Sequence, residues 1–212
     1  SVFAAQQAGD TAERSLNHII ESGHDLRQLI EELLALAKVE AGRIELHPVP
    51  LQLADLAMGL QRAFSTSLDS KGLVLQVDVS ECPTVESDHA KVRQVLYNFL
   101  ANAIKYAPES GTLHLQTHLV DSGSVEISVI DHGPGVPEDL RQVIFEKFRQ
   151  GDSGLARGHG GTGLGLAIAR QFSEILRGSV RCDATPGGGA TFVLRLPLVW
   201  PRESGRPLLP EA

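Results

Sequence analysis

Three side chains on one predicted helix have the types and spacing to hold a divalent cation and phosphate. Asn98, Asn102 and Lys105 stand at i, i+4 and i+7, which sets two amides and an ammonium on one ridge, with Tyr106 beside its C-terminal end. Amide oxygens are hard ligands of the kind Mg²⁺ takes, and an ammonium is a point charge for phosphate. A solvated polar face uses the same residue types, so the ridge alone decides nothing.

A second candidate lies at the end of the segment SVEISVID. Val125, Ile127, Val129 and Asp131 alternate onto one face, which points a carboxylate toward the apolar side of a strand. A buried carboxylate needs a donor, and the exocyclic amine of adenine is one. Asp before Gly and Pro is also an ordinary turn former. Gly133 and Gly135 follow, where backbone could approach a flat ring without a Cβ in the way. Gly160, Gly161, Gly163 and Gly165 then lead into a helix with the apolar face Leu164, Ile168, Phe172 and Ile175. That arrangement offers backbone amides at a helix N-terminus, a site for phosphate. Between the glycine clusters, Phe145 and Phe148 read as core, and RQGDSGLARGHG has the composition of a lid over a ligand.

Other chemistries drop out. There is no P-loop, no three-glycine dinucleotide spacing, and neither the HRD nor the DFG mark of protein kinases. A net charge of -7 repels a nucleic-acid backbone, which excludes nucleic acid as a partner. Cys82 and Cys182 have no metal-ligand spacing and fit a reducing compartment. No apolar run approaches the roughly 18 residues a membrane span needs, so no membrane segment is expected.

These groups need a scaffold. With 212 residues and 42% apolar content the chain can bury one substantial core plus an appendage. Asp10 and Glu13 form a capping-box pattern, followed by apolar residues at Leu16, Ile19, Gly23, Leu26, Ile30, Leu33 and Ala37. This heptad-like helix fits a dimer seam as well as an amphipathic core helix. Pro48 and Pro50 break the chain. A helix over Leu51 to Leu68, a strand over Leu73 to Val79 and the Asp88-capped asparagine helix to Tyr106 come next. Strands at Thr112 to Val120 and Ser124 to Asp131, a helix from Thr162 to Leu176, and strands at Ser179 to Ala184 and Ala190 to Leu196 complete a two-layer α/β sandwich.

Taken in order, QVLYNFLANAIKYAP, DHGPGVP, FEKF and GTGLGLAIAR resemble the asparagine, glycine and phenylalanine boxes of the ATP-binding domain of bacterial sensor histidine kinases. These share the GHKL superfamily with gyrase-type topoisomerases and heat-shock chaperones. FRQ after FEK is similar to the hybrid kinases, and SGHDLRQLIEELLALAKVEAG resembles the second helix of their dimerisation hairpin. The resemblance implies a GHKL (Bergerat-type) α/β sandwich preceded by a long dimerisation helix. Residues 1–47 would be the partial hairpin, 48–198 the catalytic ATP-binding domain, and 199–212 a linker or tail.

It further implies the cofactors ATP and Mg²⁺, with Asn102 on the metal, Asn98 in the phosphate network, Lys105 on phosphate, Tyr106 beside adenine and Asp131 on the adenine amine. Gly133, Gly135, Gly161, Gly163 and Gly165 would be pocket backbone, and Thr191 would bond toward adenine. Asn98 stands where the superfamily's ATPases have a water-activating glutamate, and an amide cannot take a proton. That favours phosphoryl transfer to a protein nucleophile, with Asn98 and Lys105 in the catalytic roles. The acceptor pattern His-[Glu/Asp]-x-x-[Thr/Asn]-Pro is missing, and His24 imitates only its opening. The expected activity is therefore that of a protein-histidine kinase whose acceptor lies outside this chain. Its partners would be a second copy, through the helical hairpin, and a response regulator or receiver domain, in the cytoplasm. A nucleotide- or partner-binding signalling module without catalysis is the alternative.

Overall fold

The computed structural model describes residues 43–79, 84–121, 123–148 and 163–201, with positions 23, 26, 30, 33, 34, 36–39 and 41 before them. The chain divides into two compact units, Ser1–Ile44 and Glu45–Ala212.

In the first unit, positions 23, 26, 30, 33, 34 and 36–39 are helical. Leu26, Ile30, Leu33 and Leu34 are exposed there. These are large apolar side chains on one helix. The capping box at Asp10 and Glu13 lies outside the described residues, as do Leu16, Ile19 and His24.

The first strand of the second unit is β1 (Val49–Leu51), so Pro50, expected to break the chain, sits within a strand. β1 pairs antiparallel with β3 (Val85–Ser87), an edge position that suits a residue with no N–H. The single helix expected from Leu51 to Leu68 is two: α1 (Leu53–Ala63) and α2 (Ser65–Lys71). Phe64, at ψ 3°, breaks them. Its ring lies 4.5 Å from that of Tyr97, and Leu60, Phe64 and Leu68 are all buried. α2 ends at Gly72 in the left-handed region, where Leu73 N–H returns to the Leu68 carbonyl at 2.9 Å.

Beyond β2 (Val74–Asp78) runs α3 (His89–Tyr106). Asp88 caps it as expected: Oδ1 accepts the Lys91 N–H at 3.0 Å, and Oδ2 accepts the His47 N–H at 3.0 Å. Burial pushes the Asp88 carboxyl up, but these N–H groups and the charge of Lys91 outweigh it and hold it below its ordinary range. Strands β4 (Thr112–Asp121) and β5 (Ser124–Ile130), helix α4 (Gly165–Ile175), and strands β6 (Ser179–Ala184) and β7 (Ala190–Pro197) complete the unit.

The main sheet has the order β2-β4-β5-β7-β6, with β2 parallel to β4 and the other neighbours antiparallel. α3 and α4 pack on one face of it, and α1 packs against α3. The buried stripe of α3 includes Val92, Leu96, Phe99, Leu100 and Ala103, with the Phe99 ring stacked 5.4 Å from Phe192 of β7. Each of the larger of these side chains, from valine to phenylalanine, contributes about 1.5–3 kcal/mol by leaving water. Cys182 joins this core. Burial pushes its thiol up to about 12, so it stays protonated and unreactive. The opposite face is polar, with Arg181 gripping both oxygens of Glu126 across β7.

Candidate functional site

α3 delivers the amide ridge, but not as an open polar face. Asn98 is buried, at 4% exposure, because α4 crosses it. Its Nδ2 donates to the Gly165 carbonyl at 2.7 Å, and its Oδ1 accepts from Gln94 Nε2 at 3.2 Å. Neither end of this amide can act as a base, and the pair of bonds fixes the start of α4 against α3. One turn on, Asn102 is half-buried. Its Nδ2 is taken up by the Asn98 carbonyl at 2.9 Å, so what it offers a ligand is Oδ1, a hard oxygen. Lys105 is half-buried as well, with Nζ 5.1 Å from the centre of the Tyr106 ring, and Tyr106 itself is exposed.

Asp131 ends the inward-facing row Val125, Ile127 and Val129, all buried, and is itself only 3% exposed. Oδ1 accepts the N–H groups of Gly133 at 2.9 Å and Ala190 at 3.1 Å. Oδ2 accepts no hydrogen bond among the described residues. Burial pushes this carboxyl up from its ordinary range, and the Gly133 and Ala190 N–H groups and the charge of His132 oppose that only in part. A buried, half-satisfied carboxylate is a group waiting for a donor.

The glycines bring the two halves together. A Cβ on Gly133 would lie 2.5 Å from the Tyr106 carbonyl oxygen, so the loop after β5 abuts the end of α3 only because that Cβ is missing. The close approach expected here is thus to protein backbone. Gly135 meets the carbonyl of Gly189 in the same way. Gly163 accepts the Phe148 N–H at 3.1 Å, which joins the two ends of the segment between them. Gly165 opens α4, and no side chain among the described residues caps that helix, the kind of N-terminus that suits an anion. Gly161 and the lid-like segment lie outside the described residues.

Two expectations change. Thr191 pairs with Ile130 and Asp183, and alternation along β7 turns it away from the face that bears Asp131. Its hydroxyl lies 2.9 Å from that of Thr185, and the residue beside Asp131 is Ala190. Phe145 is buried as core, but Phe148 is 66% exposed at a positive φ of 59°. Sequence reasoning passes over Gln94, although it lies one turn before Asn98, and over Gly189 and Ala190 as the neighbours of Asp131.

An amide ridge and a half-paired carboxylate on either side of one loop, over a mixed sheet, define a nucleotide-binding domain of the ATPase type. Residues 87–199 match the histidine kinase-, DNA gyrase B-, and HSP90-like ATPase family. The chain belongs to this family, as an ATP-binding catalytic region of the sensor histidine kinase kind. It is 33% identical over 173 residues to the sensor histidine kinase TmoS of Ectopseudomonas mendocina, covering 82% of this chain and 18% of that protein. It is 30% identical over 218 residues to the autoinducer 2 sensor kinase/phosphatase LuxQ of Vibrio harveyi, covering 96% of this chain and 25% of that one. Among solved structures, full-length ShkA in complex with AMPPNP superposes with a TM-score of 0.75 at 35% identity, covering 86% of this chain and 38% of ShkA. The chain thus spans a quarter or less of these two curated relatives. No helix among the described residues is long and apolar enough to cross a membrane.

Proposed function

We propose that this chain binds Mg-ATP between α3 and the loop after β5 and transfers the γ-phosphoryl group to a histidine outside the chain, for relay to a response regulator or receiver domain. The observation that carries the reading is Asp131, a buried residue whose Oδ2 accepts no hydrogen bond among the described residues and would accept the adenine amine. Tyr106 would lie beside the base, with Gly133 and Gly135 shaping the backbone around it. Gly161, Gly163 and Gly165 would lead the uncapped start of α4 to the phosphates.

Lys105 would balance phosphate charge, and Asn102 Oδ1 fits a Mg²⁺ ion that also takes phosphate oxygens. When bound, that ion would neutralise charge developing on the transferring group. Asn98 holds the α4 N-terminus in place and supplies no base for water, which favours a protein nucleophile over hydrolysis. The exposed Leu26, Ile30, Leu33 and Leu34 favour pairing with a second copy through a helical hairpin. A cytoplasmic location fits the need for ATP.

A binding module without catalysis is less favoured, since the matched relatives are named as kinases. Titration of Mg-ATP, followed by incubation of the chain with γ-labelled ATP and a polypeptide bearing an acceptor histidine on a dimerisation hairpin, tests both stages. Binding with no label transferred would favour the module, and no binding would remove the nucleotide reading.

A further inference from the structure

We propose that Lys71 is a positioning residue for the nucleotide end of α3. The inference rests on the reading of that end as part of a nucleotide site. A helix leaves its last four carbonyls without partners inside the helix, here those of residues 103 to 106. Ala103 O accepts the Ala107 N–H at 2.8 Å, and Tyr106 O is the atom against which Gly133 packs. The two between, Ile104 O and Lys105 O, both accept from Lys71 Nζ, at 2.8 and 2.9 Å.

The ammonium therefore sits on the negative end of the helix dipole, held by carbonyls from the turn that presents Lys105 and Tyr106. Its own backbone is clamped. The Lys71 carbonyl accepts the Ser110 N–H at 3.0 Å, and Gly72 turns the chain at once through the left-handed region. A triphosphate brought near a bare helix C-terminus meets partial negative charge, and Lys71 offsets that charge while holding the turn's geometry.

The full chain carrying Lys71→Met, Lys71→Gln or Lys71→Arg, titrated with Mg-ATP by calorimetry and melted by circular dichroism, tests this. Lys71→Met should raise the Kd for Mg-ATP about tenfold, Lys71→Gln by less, and Lys71→Arg should stay within about threefold of wild type. If Lys71→Met lowers the melting temperature but binds within about twofold of wild type, Lys71 is structural only and the inference is overturned. Equal weakening by Arg and Gln overturns it too, and that comparison decides the matter if the Met variant does not fold. Failure of the wild type to bind Mg-ATP would instead remove the nucleotide reading, and this inference with it.

Discussion

Asn98 donates its side-chain Nδ2 to the carbonyl oxygen of Gly165, 2.7 Å away in space and 67 positions along the chain. The bond ties the middle of the asparagine helix to the first residue of the glycine-led helix, so the amide ridge and the uncapped N-terminus move as one piece. Gln94 sets the orientation, because its Nε2 occupies the Asn98 oxygen and leaves the nitrogen to face Gly165.

Removing that amide should loosen the joint. Asn98→Ala is expected to destabilise the fold by about 1–2 kcal/mol in urea titration, the worth of two part-buried hydrogen bonds. Asn98→Asp should cost more, about 3 kcal/mol at neutral pH, since it points a buried acceptor at the Gly165 carbonyl. An Asp variant as stable as Ala would contradict the assigned orientation.

Asp131 should show stability and binding moving in opposite directions. Its folded pKa lies above the ordinary 3.8, so the folded state holds the proton more tightly. Stability therefore falls as pH rises from that value through the folded one, and the charged form disfavours the unliganded fold at neutral pH. Asp131→Asn keeps an oxygen for the Gly133 and Ala190 N–H groups, so its melting temperature should match or exceed that of wild type. Its affinity for Mg-ATP should drop ~10- to 100-fold, the worth of one charge-assisted bond. Equal affinities would remove the adenine assignment.

Gly189 should tolerate nothing larger. At φ +113°, its Cβ would collide with the Asp131 carbonyl, where β7 begins its pairing with β5. Gly189→Ala is expected to lose about 3 kcal/mol or more by chemical denaturation and to weaken nucleotide binding. Gly187, also at positive φ but in open space, should lose only about 1 kcal/mol on the same substitution.

The outer face of the sheet should respond to acid. Arg181's hydrogen bonds, opposed by burial and helped by its charge and those of Arg195 and His118, hold Glu126 below its ordinary 4.5. A depressed carboxyl contributes stability above its unfolded pKa that is lost as pH falls through the folded value. With Arg181 half-exposed, the pair contributes only about 0.5–1 kcal/mol. Glu126→Gln should lower stability by that amount at pH 7 and by nothing near pH 2, as thermal melts at the two pH values would register.

What the sequence by itself determined is what local periodicity controls. The 3.6-residue repeat aligned Asn98, Asn102 and Lys105, the two-residue repeat sent Asp131 inward with Val125, Ile127 and Val129, and Asp88 announced its cap. Each depends on backbone geometry within a few residues. Only the tertiary structure decided which partner each face meets. It buried Asn98 beneath α4, gave Ala190 and not Thr191 to Asp131, split a helix at Phe64 to reach Tyr97, exposed Phe148, and brought Lys71 to the end of α3. The reason is distance along the chain. Strand register and helix crossing are set by packing between segments tens of residues apart, and no window of neighbouring residues contains them.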